Sequence, residues 1–154
     1  MKQASVYKVR ATGVLIENNS LLLVKQKLSN NKEWSLPGGR VEMGEDSKTS
    51  LIREMQEELG LNINIIGIKA ITENFFVYDN KNYHELQYIY IGEFVDKSIE
   101  EKTSKFYGIE EKDIFEWKNI NDLEQINCQP EFLKDLLKEV VNGNFETRHI
   151  INKE

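Results

Sequence analysis

Two kinds of hydrophobic pattern alternate along the chain, and the switches between them set the predicted elements. In "VRATGVLIENNSLLLVKQK", residues 9–27, two apolar, β-branched runs flank Glu-Asn-Asn-Ser. Such runs around an Asn-rich break predict a β-hairpin, because asparagine tolerates the left-handed backbone of a tight turn. Farther on, "INIIGIKAITENFFVYD" and "YHELQYIYIGEFVD" flank Asn-Lys-Asn and read as a second, longer hairpin. "DIFEWKNI" is a short strand candidate. Between the hairpins the period becomes helical. This helix starts after Asp46 or Ser47, either able to cap its first N–H groups, and stops at Gly60. "QPEFLKDLLKEVVNG" predicts a closing helix. Pro130 stands in its first turn, Phe132, Leu133, Leu136, Leu137 and Val140 form one stripe, and Gly143 ends it. Helices before and after a mostly β middle predict an α+β fold with one sheet covered on both faces.

The central helix carries an unusual charge pattern. Counting 100° per residue from Glu54, Glu58 falls near 40° and Glu57 near -60°, so three carboxylates share a face about 100° wide. Leu51, Ile52, Met55 and Leu59 form a separate apolar stripe suited to packing on a sheet. Packing therefore fixes which way the acidic face points. Like charges three and four residues apart repel by a few tenths of a kcal/mol each, at roughly 0.2–0.5 per pair. Arg53 offsets only part of that. Two readings follow: a solvated acidic face, or a site where carboxylates hold Mg²⁺ or Mn²⁺. The upstream Pro37-Gly38-Gly39 favours the second, since glycines let a main-chain carbonyl approach a cation closely.

Composition narrows the setting. The 154 residues suit one compact domain spanning 1–154, and 40% hydrophobic with 30% charged residues suits a soluble globular chain. No apolar run approaches the roughly 18–20 residues of a membrane helix, and "MKQASVYKVRATG" lacks the apolar core of a signal peptide. Cys128 is the sole cysteine, which excludes a disulfide framework and makes a reducing cytoplasm the simplest compartment. A net charge of -6 argues against non-specific nucleic-acid binding. It leaves room for a phosphorylated small molecule bridged to the protein by divalent cations.

The spacing in this segment then matches a known family. Gly39, five residues, Glu45, seven residues, and Arg53-Glu54-Met55-Gln56-Glu57-Glu58-Leu59-Gly60-Leu61 resembles the Nudix box without a departure. The lead-in from Trp34 to Pro37 and the order of elements are similar to the family as well. The resemblance implies a Nudix-type α/β/α sandwich with a mixed sheet between helices. It implies a metal-dependent hydrolase of the MutT-like kind. Such an enzyme cleaves the pyrophosphate linkage of a nucleoside diphosphate joined to another group, in a nucleoside triphosphate, an ADP-ribose-like compound or a dinucleoside polyphosphate.

Carried over residue by residue, the resemblance makes Glu54, Glu57, Glu58 and the Gly38 carbonyl ligands of Mg²⁺, with Mn²⁺ as the alternative. Glu45 supports the metal cluster and Arg53 orients the glutamates. In MutT-like members a glutamate a few residues before a Glu-Trp pair acts as general base. With Glu116-Trp117 as that pair, this points to Glu111, with Glu110 beside it and Glu100 and Glu101 behind them. On the substrate side the candidates are Arg40, Phe76, His84 and Cys128. Cys128 stands where the MutT purine pocket places an asparagine, a departure that bears on 8-oxoguanine recognition. The proline of ADP-ribose-type members is missing near Phe75 to Tyr78, while Tyr78 lies where dinucleoside-polyphosphate members carry a tyrosine. Many members are homodimers, though no apolar stripe marks an interface in this sequence. The alternative function class is a Nudix-like domain that binds a nucleotide without cleaving it, and the complete set of box carboxylates weighs against it.

Overall fold

The computed structural model describes residues 4–26, 33–95, 105–107 and 113–153. Strands β1 (Ser5–Glu17), β2 (Ser20–Gln26) and β3 (Gly38–Arg40) precede helix α1 (Ser47–Leu59). Then follow β4 (Ile63–Tyr78), β5 (Lys81–Phe94), β6 (Lys105–Tyr107), β7 (Asp113–Asn119), a 3₁₀ turn at Ile120–Gln125, helix α2 (Leu133–Val141) and β8 (Arg148–Lys153). The eight strands form one mixed sheet ordered β6-β7-β2-β1-β5-β4-β8, with β3 branching from β1. β1 runs parallel to β5, and β4 runs parallel to β8; the other pairings are antiparallel.

Both predicted hairpins are present, and their turns explain the Asn-rich breaks. Asn18 and Asn19 take φ of 50° and 59°, and Asp79 and Asn80 take 49° and 58°. Two consecutive left-handed residues make the turn whose twist matches that of the flanking strands. The second turn therefore sits one residue earlier than Asn80-Lys81-Asn82, and Lys81 already belongs to β5.

Alternation along the strands divides the apolar residues between two faces. On one, Ala11, Leu15, Leu22 and Tyr90 pack with Leu51, Met55 and Leu59 of α1. On the other, Val14, Leu21, Leu23, Ile89 and Ile91 pack with Leu133, Leu136, Leu137 and Val140 of α2. Burying each such side chain stabilises by roughly 1.5–3 kcal/mol. The result is the helix–sheet–helix sandwich. The closing helix starts at Leu133, three residues past the predicted Pro130, because residues 129–132 form a separate turn, closed by the Leu133 N–H on the Pro130 carbonyl at 3.0 Å. β3 and β8 were not separable from sequence: one is three residues of a Pro-Gly-Gly break, the other six residues of mixed polarity.

One buried charge clasps the α2 face. Lys69, with its side chain fully buried, donates to Glu139 Oε1 at 2.8 Å and to the carbonyls of Asn144 and Glu146 at 3.1 and 2.9 Å. Arg148 holds the other Glu139 oxygen at 2.6 Å. Lys69→Ala is expected to cost about 3 kcal/mol in urea unfolding, since it takes the donor from one Glu139 oxygen and two carbonyls and leaves a new cavity. Acid acts on the same clasp. Lys69 first, and Arg148 after it, hold the Glu139 carboxyl below its ordinary 4.5. That contribution is complete above pH 4.5 and is lost as pH falls through the lowered folded value.

Candidate active site

Local sequence fixes where α1 starts and which way it faces. Asp46 caps it: the Thr49 backbone N–H donates to Oδ1 and the Thr49 hydroxyl to Oδ2, both at 2.8 Å. Such a cap stabilises by about 1 kcal/mol. Ser47 Oγ lies 2.5 Å from the Tyr90 hydroxyl, tying the first turn to β5. Gly60 closes the helix in the left-handed region at φ 66°, its N–H bonded to the Gln56 carbonyl at 2.9 Å. With Leu51, Met55 and Leu59 buried on the sheet, Glu54 and Glu58 sit half-buried and Glu57 exposed, as the helical projection requires; Ile52, at the outer edge of the predicted stripe, is exposed instead.

The carboxylates gather around one guanidinium. Arg53 Nε and Nη2 donate to the two oxygens of Glu45 at 3.1 and 2.7 Å. Nη1 donates to Glu54 Oε1 and to Glu57 Oε2, each at 3.1 Å, and Nη2 reaches the Arg40 carbonyl at 3.2 Å. The planar fork suits this task, because it presents several donors in fixed directions. Bidentate pairing to Arg53, helped by the Glu42 backbone N–H at 2.9 Å, pulls the Glu45 carboxyl down to about 2. Glu45 in turn is the main cause of an upward shift on Arg53. The loop and the helix are thereby one electrostatic unit.

Gly38 and Gly39 are needed for different reasons. Gly38 has φ 148°, and a Cβ there would lie 2.1 Å from the Ala11 carbonyl oxygen across the β1–β3 pairing. At Gly39 a Cβ would meet the Glu54 carboxylate, 2.4 Å from Cδ. The missing side chain is thus the space in which Glu54 lies against the backbone. Gly38→Ala is expected to lower the melting temperature by several degrees, at roughly 4–8 °C per kcal/mol for small domains and less for larger ones. Gly39→Ala should change it far less, because the clash falls on the end of a flexible side chain. Thermal melts of the two variants compare these outcomes.

Chemically the set Glu54, Glu57, Glu58 and the Gly38 carbonyl is all oxygen, which suits a hard divalent cation. The Gly39 space that Glu54 occupies is consistent with such a cradle. Among the described residues no three His, Cys, Asp or Glu side chains are arranged to hold a metal ion as they stand, because their oxygens are turned to a guanidinium. Glu45, Glu54 and Glu57 converge on Arg53.

On the opposite face of the sheet, beside Ser35 and Leu36, lies a cavity of about 540 Å³. The Trp34 backbone anchors that lead-in, its N–H donating to the Asn127 carbonyl and its carbonyl accepting from Gln129 N–H, both at 2.8 Å. Strand register tiles the cavity floor in rows. Lys8, Glu85, Asn74 and Asn152 stand side by side across β1, β5, β4 and β8, and Arg10 and Gln87 form the next row, which Thr72 continues on β4 outside the cavity lining. Glu85, Gln87, Asn74 and Thr72 are all buried. Gln87 Nε2 donates to Thr12 Oγ1 and Asn152 Nδ2 to Asn74 Oδ1, each at 2.7 Å.

The remaining sequence candidates are scattered. Phe76 lines the cavity, stacked on Tyr83 with ring centroids 4.9 Å apart. His84 faces the other side of the sheet, stacked on Phe75 at 4.4 Å and edge-on to Tyr7 at 4.9 Å. Arg40 is exposed on β3, paired in register with Arg10. Cys128 belongs to the α2-face core, where burial pushes its thiol up, and its neighbours Gln129 and Pro130 line the cavity instead. Glu111, Glu110, Glu100 and Glu101 lie outside the described residues. Sequence reasoning took Phe76 and His84 from the stretches Asn74–Phe76 and Tyr83–Leu86, which also hold Asn74 and Glu85, and missed Lys8, Arg10 and Gln87. Their signal was polar residues at every second position of strands, where an internal sheet face should be apolar.

Comparison with known proteins agrees with the geometry. A family model described as NUDIX domain matches residues 7–140. An RNA pyrophosphohydrolase of Ruthia magnifica subsp. Calyptogena magnifica is 35% identical over 72 residues, covering 47% of this chain and 40% of that one. A putative 8-oxo-dGTP diphosphatase of Bacillus subtilis (strain 168) is 35% identical over 79 residues, covering 51% and 48%. The chain thus spans less than half the length of these two relatives. A crystal structure of a NUDIX hydrolase from Nitrosomonas europaea superposes with a TM-score of 0.67 at 20% identity, over 96% of this chain and 79% of that one. A family match across most of the chain, on the fold that carries the complete box, places this protein in the Nudix family.

Proposed function

We propose that the chain is a divalent-cation-dependent hydrolase of a pyrophosphate linkage, acting on a nucleoside diphosphate joined to a further group. The observation that carries this reading is the Arg53 fork holding Glu45, Glu54 and Glu57 beside the Gly38-Gly39 backbone. A solvated acidic face needs neither the shared guanidinium nor two glycines at sterically closed positions. The names of the two relatives, a pyrophosphohydrolase and a putative diphosphatase, support the same reaction class.

In this reading Glu54, Glu57, Glu58 and the Gly38 carbonyl would hold Mg²⁺ or Mn²⁺, with Glu45 supporting them. The chemistry such an ion supplies when bound is neutralisation of diphosphate charge and a more acidic water. The chain's own part is positional. Arg53 fixes the directions of three carboxylates, and the capped start of α1 fixes the helix against β5. The buried stripe of Leu51, Met55 and Leu59 keeps the acidic face turned outward. Glu111 is the proposed general base, on the resemblance alone.

The test is a panel assay for released phosphate or nucleoside monophosphate. It covers nucleoside triphosphates, normal and oxidised, together with ADP-ribose, dinucleoside polyphosphates, nucleotide sugars and capped RNA ends. Turnover of at least one class with Mg²⁺ or Mn²⁺ is expected; silence across the panel with both ions would move the chain to the nucleotide-binding reading.

A further inference from the structure

The polar cavity has a chemistry of its own. Glu85 is 6% exposed and Gln87 5%, on the two rows of a central strand where apolar side chains would pack at lower cost. Each has a partner on β1, Glu85 in Lys8 and Gln87 in Thr12, so the sheet presents an ordered polar surface to the cavity. None of the box glutamates lines this cavity. Its connection to them runs along β1. Glu85 shares a row with Lys8, and Gly38 shares a row with Thr12, four residues farther along the strand. At about 3.3 Å per residue the rows lie about 13 Å apart, a separation suited to a base beside Glu85 and phosphates at the Gly38 backbone, beyond which the glutamates stand on the α1 face.

From this floor we infer that the chain selects guanine nucleotides, and that Glu85 reads the base; the inference rests on the hydrolase reading only for its rate measurement. A carboxylate offers acceptors alone. Guanine is the common base whose Watson–Crick edge presents two adjacent donors, N1–H and the 2-amino group. Adenine and cytosine each set a donor beside an acceptor, and uracil flanks its one donor with carbonyls, so each turns an oxygen or bare nitrogen toward Glu85. The Lys8 ammonium, 3.4 Å from Glu85 Oε2 and 5.3 Å from the Tyr83 ring centroid, holds the carboxylate in place. Phe76, with one face on Tyr83, supplies an aromatic wall at the same end. Arg10, one row nearer Gly38, gives a cation on the path to the phosphates.

Three measurements test this. The first is equilibrium binding of GDP, IDP and ADP to the full chain by calorimetry. IDP lacks only the 2-amino group, so it probes the contact without altering the protein. GDP is expected to bind about tenfold or more tighter than IDP or ADP, from the discrimination typical of one bidentate base contact. The second is the same series on Glu85→Gln, whose amide matches the donor–acceptor edge of adenine. The variant should lose at least tenfold in GDP affinity, at roughly the same contact strength, and reverse the order of GDP and ADP. The third is kcat/KM for GTP and ATP, where the substitution should act mainly through KM. Equal binding of GDP, IDP and ADP by the unaltered chain would overturn the inference, as would a Glu85→Gln variant of unchanged preference. Hydrolysis without base preference would sink it and leave the hydrolase reading standing. Glu85-dependent GDP binding without hydrolysis would do the reverse.

Discussion

Glu57→Gln is expected to lower hydrolysis by roughly 10²–10⁴-fold while the protein stays folded. Glutamine keeps the shape of the side chain and removes its charge. Glu57 is 56% exposed at its side chain, so the fold has little stake in it. Two small effects on stability oppose each other: the substitution weakens the 3.1 Å pair with Arg53 and relieves repulsion from Glu54 and Glu58. Their sum should stay within about 0.5 kcal/mol, as for surface substitutions generally. The reaction has a much larger stake, because a neutral oxygen is a poor ligand for a hard cation and cannot offset its charge. Initial rates on the preferred substrate, with a thermal melt alongside, separate the two effects. A variant of full activity would mean that the acidic face is only a solvated surface.

Arg53→Lys gives the second large effect. Lysine keeps one positive charge but loses the fork that bonds Glu45, Glu54, Glu57 and the Arg40 carbonyl together. Activity is expected to fall roughly 10–100-fold, the usual cost of losing a group that orients metal ligands. The mark of a positioning role is a rise in the Mg²⁺ concentration needed for half-maximal rate, which a general loss of stability would not produce. Unchanged rate and unchanged Mg²⁺ requirement would remove Arg53 from the site.

The sequence made some parts of this molecule legible and hid others for physical reasons. The α1 site was readable because everything it needs is local. Asp46, Arg53, the glutamates and Gly60 lie within fifteen residues of one another, and helix geometry alone sets their directions. The Asn18-Asn19 turn was readable because the backbone there demands a residue tolerant of positive φ. The cavity was not. Lys8, Glu85, Asn74 and Asn152 come from four strands spread over the chain, and only the strand register makes them neighbours. Nothing in "YHELQY" distinguishes an inward glutamate from a solvent-facing one before that register is known. β8 lacks the β-branched run that marks a strand; its place is set by parallel pairing with β4. Cys128 was assigned to the substrate side by alignment with a family position. The bridge between residues 34 and 128 draws it into the core instead.

The account rests on divalent-cation-dependent cleavage of a pyrophosphate linkage, and one measurement addresses it directly. The protein is freed of cations by chelation and dialysis, then supplied with a substrate that the panel shows it turns over, in ¹⁸O-labelled water, with Mg²⁺ withheld or restored. Phosphorus-31 spectra report both turnover and the phosphorus that receives the labelled oxygen. The account expects no turnover without cation, recovery on adding Mg²⁺, and one ¹⁸O in a phosphate-bearing product. Turnover that persists undiminished after chelation, or a label that never enters phosphate, would contradict it.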